Sequence, residues 1–285
     1  MSFTLNASAA RPHDGDVVSL CWAPGRGVFS GGEDGIVKVW DEKLSLIGSV
    51  PAGSYSVYDI VYHNDSLYTC SYDGKISIWS PPKSGDTEWA AKAVLEGHME
   101  GVRRMRFSGD VLYSGDEQGV VIEWINDEKK RIFNILEEIW DLWVIDTTMY
   151  TVRDKDISIT EIKAKNTFSS KGTLEGRGPM CLIDDHIYCI TRDGMGIMGY
   201  GKADDKYPKL DTLTGHERII NALTGKNHML FSAGWDGKVK AWDIRTMKCT
   251  ATYDAKENIN CLTVTDNMTL YAGGSNGVFI GLQFN

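Results

Sequence analysis

Hydrophobic and polar residues alternate over short stretches along almost the whole chain. KISIW from Lys75 and KVKAW from Lys238 place an apolar side chain at every second position. That period of two puts one face of a strand against a neighbour and leaves the other toward solvent or a polar layer. Spacing of the i, i+3, i+4 kind, which would predict helix, is absent throughout. Asp-Gly pairs at Asp34-Gly35, Asp73-Gly74, Asp193-Gly194 and Asp236-Gly237 sit between the alternating stretches. Such pairs supply the positive φ that a tight hairpin turn needs, so they predict antiparallel strand pairs.

One frame recurs along the chain. It reads FSGGEDGIVKVWD from Phe29, FSAGWDGKVKAWD from Phe231, YTCSYDGKISIWS from Tyr68 and YSGDEQGVVIEWI from Tyr113. Weaker copies start at Tyr150, Tyr188 and Tyr271. The Trp or its substitute falls at Trp40, Trp79, Trp124, Thr160, Gly199, Trp242 and Leu282. The spacing is about forty residues, the length of one four-stranded unit. A further short strand precedes each copy: VVSLCW, VYDIVY, VRRMRF, IWDLWV, PMCLI, INALT and INCLT. The sequence therefore predicts an all-β chain: a seven-bladed β-propeller of four-stranded antiparallel blades, with residues 1–285 as one domain. The last blade ends on its third strand, VFIGLQF, and the N-terminal SFTLNAS is spare. Residues 2–7 are expected to supply the missing outer strand, because an unpaired edge would otherwise stay exposed.

Glycine-His pairs (Gly97-His98, Gly215-His216) and Trp-Asp pairs (Trp40-Asp41, Trp242-Asp243) make the chain resemble the WD-repeat family over essentially its whole length. The resemblance implies a hydrogen-bonded tetrad of His, Ser or Thr, Asp and Trp inside a blade. Two sets are complete: His13, Ser30, Asp34, Trp40 and His216, Ser232, Asp236, Trp242. The third blade keeps His98, Ser114 and Trp124 but has Gln118 in the Asp place. The second keeps Thr69, Asp73 and Trp79 but has Gly53 in the His place.

A net charge of −9 without a basic stripe argues against binding nucleic acid through its phosphates. No apolar run approaches membrane-spanning length, and the N-terminus lacks the basic and apolar regions of a secretory signal. The cysteines 21, 70, 181, 189, 249 and 261 form no zinc-like spacing and read as reduced thiols of a cytoplasmic or nuclear protein. On that reading the triplets at Asn6, Asn64 and Asn267 are chance matches to a glycosylation pattern.

A recurring Ser, His and Asp invites comparison with a catalytic triad. His precedes Ser at a near-constant interval in three blades (13 to 30, 98 to 114, 216 to 232), however, which marks a structural element repeated with the blade. There is no dinucleotide fingerprint around Gly25 and Gly27 and no phosphate-binding loop. Asp184-Asp185-His186 lies in an expected surface turn without partners, and Arg103-Arg104 does not form the Phe-Arg-Arg-Gly motif of phosphoinositide-binding propellers. No enzyme, cofactor or metal is expected.

The family geometry implies that one rim of the ring carries three positions per blade, two at the start of the first strand and one before the turn Asp. The second of these holds Val18, Tyr58, Arg103, Trp140, Met180, Asn221 and Asn260; the third holds Glu33, Tyr72, Glu117, Arg153, Arg192, Trp235 and Ser275. The first adds Asp16, Glu138, Ile219 and Asn258. Tyr58, Tyr72, Arg103, Glu117, Trp140, Arg153, Met180, Arg192 and Trp235 are the candidate partner-binding residues, being rich in the types that dominate binding hot spots. Arg103, Arg153 and Arg192 in consecutive blades suit an acidic or phosphorylated peptide. The expected role is a protein-binding scaffold within a multiprotein complex. The alternative is a substrate receptor of a cullin–RING ubiquitin ligase: LFSAGWDGKVKAWDIR at 230–245 resembles the Trp-Asp-x-Arg docking box, through Asp236, Trp242, Asp243 and Arg245.

Overall fold

The computed structural model describes residues 1–9, 12–83, 88–164, 167–202 and 206–285. Alternation and turn chemistry act as the sequence indicates. Val37 and Val39 are buried on one face of the strand Ile36–Trp40, and the turn before it runs through Gly35 at a φ of 74°. The first blade is Val17–Ala23, Gly27–Gly32, Ile36–Trp40 and Leu46–Pro51, each strand antiparallel to the next. Six more four-stranded sheets repeat this order, giving seven blades.

The innermost strands are Val17–Ala23, Asp59–His63, Val102–Ser108, Asp141–Ile145, Arg177–Ile183, Ile220–Lys226 and Ile259–Val264. Each touches the next around the axis, and the seventh returns to the first. The last blade is completed by Phe3–Ser8, which pairs with Phe279–Phe284 in the register Phe3↔Phe284 to Ser8↔Ile280. Phe3 also packs on Phe284 and Phe231, with ring centroids 5.4 and 6.2 Å apart, so the N-terminal strand is held by side chains as well as by its ladder.

Apolar burial is divided among seven layers, one between each pair of adjacent blades. Phe29, Val37 and Val39 of the first blade meet Ile60, Leu67 and Trp79 of the second, and Val17 and Trp40 meet Tyr271 and Phe279 of the seventh. The axis itself is polar. A channel of about 190 Å³ is lined by all seven inner strands. In it the Asp59 carboxylate accepts the Met105 amide at 2.8 Å, and Asp141 accepts the Met180 amide at 2.8 Å. Arg106 bridges the two carboxylates, at 3.2 Å from Asp59 and 3.3 Å from Asp141. Each buried carboxylate is thus met by amide donors and a guanidinium together, which offsets its desolvation.

Register also revises two positions of the repeat. The sequence puts Gly199 in the Trp place of the fifth blade, but Tyr200 pairs with Ile187 there, as Trp40 pairs with Val28 in the first. One extra residue in the preceding turn, around Met195 and Gly196, displaces the frame. Tyr200 is buried, and its hydroxyl donates to the Glu175 carbonyl at 2.8 Å. Met180 is likewise displaced. It pairs with Cys189, the place taken by Met105 opposite Ser114 in the third blade. The rim position in blade five therefore belongs to Gly178, two residues earlier.

Candidate partner-binding face

Three blades carry a closed polar network. His13 places Nδ1 3.0 Å from Asp34 and Nε2 2.7 Å from the Ser30 hydroxyl, to which Trp40 donates at 2.8 Å. His216, Asp236, Ser232 and Trp242 repeat this with distances of 2.8, 2.7 and 2.8 Å. The third blade is complete as well, by a different route. His98 Nδ1 meets Asp116 at 2.7 Å, while Gln118 in the turn only donates its backbone amide to that carboxylate. Asp116 occupies the register place of Gly32 in the first blade. A Cβ on Gly32 would lie 2.3 Å from His13 Nδ1 and 2.4 Å from Asp34, so a turn carboxylate requires glycine in the strand. Moving the carboxylate into the strand frees the turn position for Gln118. In the second blade Trp79 donates to Thr69 at 3.0 Å and Asp73 accepts from Ser71. The His, Ser and Trp groups of the three closed sets are buried and mutually satisfied, which fixes strand positions, whereas Asp73 of the second blade stands at the surface.

The turns after each second strand and the loops leading to the next inner strand lie at one end of the ring. Backbone bonds tie them together: Gly53 N–H to Gly35, Ile135 N–H to Gly119 and Ala255 N–H to Gly237. Tyr72, Trp140 and Trp235 project there, each about half exposed at 52%, 49% and 46%. Arg103 is stacked between Tyr58 and Trp140, its guanidinium carbon 4.8 and 5.8 Å from the ring centroids, and it is paired with Glu117 at 2.9 Å. Arg153 is paired with Glu137, and Arg192 with Asp156 at 3.2 Å and Glu175 at 3.5 Å. The three arginines are each engaged by carboxylates of the chain itself.

Met180 is the misplaced member of the sequence-predicted set. It is 2% exposed and packs between blades four and five with Ile187 and Cys189, so it presents nothing to a partner. Four exposed apolar residues of this face escape the repeat reasoning: Tyr55, Met99, Leu136 and Met195. The first three lie in the loops between blades, which vary in length and have no place in the frame. Tyr55 stands 5.8 Å from Tyr72, centroid to centroid. In the axial channel, Asp59 and Asp141 were legible only as the Asp shared by VYDIVY and IWDLWV.

Asp243 ends the third strand of its blade, at the opposite end of the ring from these turns. Arg245 closes back on it through Nε at 3.2 Å and Nη2 at 3.3 Å. Asp243 and Arg245 of the docking box are thus each other's partners.

The WD domain, G-beta repeat, family model matches residues 7–41, 45–80 and 208–243. The chain is 22% identical over 241 residues to ribosome biogenesis protein YTM1 of Phaeosphaeria nodorum, covering 81% of this chain and 50% of that protein. It is 22% identical over 251 residues to the ribosome biogenesis protein WDR12 homolog of Chlamydomonas reinhardtii, with 84% and 45% covered. With cell division control protein 4 of Saccharomyces cerevisiae the identity is 24% over 299 residues, covering 96% and 35%. The chain spans about half the length of the ribosome biogenesis proteins it matches. Among solved structures, the WD40 β-propeller domain of Doa1 superposes with a TM-score of 0.85 at 19% identity, covering 99% of this chain and 97% of that one. The chain thus carries WD repeats that the family model matches at residues 7–41, 45–80 and 208–243, within a seven-bladed β-propeller closed by the N-terminal strand.

Proposed function

We propose that residues 1–285 act as one non-catalytic interaction module that binds a segment of a protein partner across the face carrying the blade turns. The observation that carries this reading is the gathering of Tyr55, Tyr72, Met99, Leu136, Trp140, Met195 and Trp235, all exposed, on loops of that one end. Exposed aromatic and Met side chains there offer contact area at a small cost in ordering. Membership of a multiprotein assembly fits the ribosome biogenesis proteins among its relatives. The non-catalytic reading is supported by the thiols of Cys21, Cys181 and Cys189, which burial pushes up to about 12 and so keeps from forming thiolate nucleophiles. The charge of Arg103, Arg153 and Arg192 is balanced within the protein. An acidic or phosphorylated partner is therefore supported by Arg177 and not by these three.

The test is capture of the native partner by the tagged chain and by a Tyr72→Ala, Trp235→Ala double variant whose fold is verified by circular dichroism. Loss of about 2 kcal/mol or more of binding is expected, as for truncation of hot-spot aromatics. Undiminished capture by the folded double variant would move the site to the opposite face or the outer wall.

A further inference from the structure

Blade five departs from the other six at two consecutive positions, and the two departures together open a cavity. Leu20, Ile60, Met105, Leu142, Met180, Leu223 and Leu262 hold equivalent places, each opposite the Ser or its substitute on the second strand. Three residues before that place, six blades have Val17, Val57, Val102, Ile139, Ile220 and Ile259, all 0–2% exposed. Blade five has Arg177, half-buried. Two residues before it, the other blades carry Val18, Tyr58, Arg103, Trp140, Asn221 and Asn260. Blade five has Gly178, and a Cβ there would meet nothing nearer than 3.6 Å.

The missing side chain leaves a cavity of about 260 Å³ at the mouth of the axial channel, walled by Trp140, Pro179 and Ile219 and by Arg104, Arg153 and Arg177. Asn221, Asn260 and one carboxylate, Asp154, also line it. Among the described residues the Arg177 guanidinium has no ion-pair or hydrogen-bond partner. Its Nη1 lies beside Gly194, 3.5 Å from where a Cβ would stand. Arg104 is engaged on both sides, by Asp141 at 3.5 Å from Nε and by Asp59 at 3.7 Å. The Nε atom of Arg153 is buried without a partner, although an outer nitrogen of that side chain reaches Glu137. Buried donors left open cost free energy until an acceptor arrives.

We propose that this cavity takes one anionic side chain, a carboxylate or a phosphate, from the segment bound across the face, with its stem against Trp140 and Ile219. The proposal rests on the binding face described above and adds the chemistry of its anchor. Arg177 can present two parallel N–H groups to such an acceptor, and the apolar walls strengthen the interaction by excluding water. A chain of net charge −9 that spends an unpaired cation on an otherwise aliphatic position gains selectivity for an anion at that point.

Calorimetric titration of the full chain with phenyl phosphate, benzoate and inorganic phosphate at matched ionic strength tests this. Saturable binding of phenyl phosphate or benzoate is expected, and the preferred one names the source as phosphorylated or acidic side chain. Arg177→Val installs the residue type of the other six blades, so it should keep or raise the melting temperature while weakening binding about tenfold or more. Gly178→Leu should fill the cavity and act in the same direction. Absence of saturable binding to the wild-type chain, or equal affinity in a folded Arg177→Val, overturns the proposal. The titration uses no partner. A negative result alongside intact, Trp235-dependent partner capture removes the anchor and leaves the face; a positive one with capture indifferent to Trp235 removes the face as first drawn.

Discussion

Gly32 and Asp116 hold the same register place in the first and third blades and divide one task between them. Where the turn supplies the carboxylate, the strand must be bare; where the strand supplies it, the turn residue is released. Asp116→Ala is therefore expected to cost about 1–3 kcal/mol, by stranding His98, whereas Gln118→Ala should stay within about 0.5 kcal/mol. Urea midpoints of the two variants check this, and equal costs would return Gln118 to the network. His216→Ala should cost a similar amount to Asp116→Ala, because Ser232 and Asp236 lose their acceptor and donor together. The network also sets a pH dependence. Burial alone would push Asp236 up, but the hydrogen bond from His216 and the Glu217 amide outweigh it and hold the carboxyl down at about 2. A carboxyl depressed in the folded chain binds its proton more readily unfolded. Its contribution is complete above the ordinary value of about 3.9 and is lost as pH falls toward about 2. Denaturation midpoints between pH 5 and pH 2 should fall less steeply in Asp236→Asn than in the wild type.

At the scale of the element, the N-terminal strand belongs to the last blade and not to the first. Deleting residues 1–8 removes the ladder to Phe279–Phe284 and the rings around Phe3, and it bares a strand edge. A loss of several kcal/mol and a tendency to associate through the bared edge are expected. An unchanged melting temperature and a monodisperse profile on size exclusion would show the strand to be dispensable. Blade five shows where strand reasoning from sequence breaks. PMCLI reads as a strand starting at Pro179, but the strand begins at Arg177. Proline has no N–H to give the ladder, so pairing steps from Arg177 to Met180. That step exchanged a buried methionine for a rim residue in the sequence reading, and it hid the glycine and arginine that shape the cavity.

At the scale of the whole molecule, the ring brings together residues that are far apart in the chain. Arg104 and Asp141 meet across the axis side of adjacent blades, and Asp16 reaches Asn260 and Ser275 where the ring closes, at 3.1 and 3.0 Å. An acidic partner held at Arg177 should be captured less as salt rises, and Arg177→Val should flatten that dependence, measured between low and physiological salt. The same slope in both would place the attraction elsewhere on the surface. The sequence by itself determined the blades, their number, the turn chemistry and the seam at the N-terminus, because alternation, Asp-Gly turns and a forty-residue period are local signals repeated along the chain. The partners of His98 and Met180 were decided only by the tertiary structure. Each depends on a one- or two-residue shift of register, and such a shift changes which side chains face each other while barely altering the pattern that announces the blade.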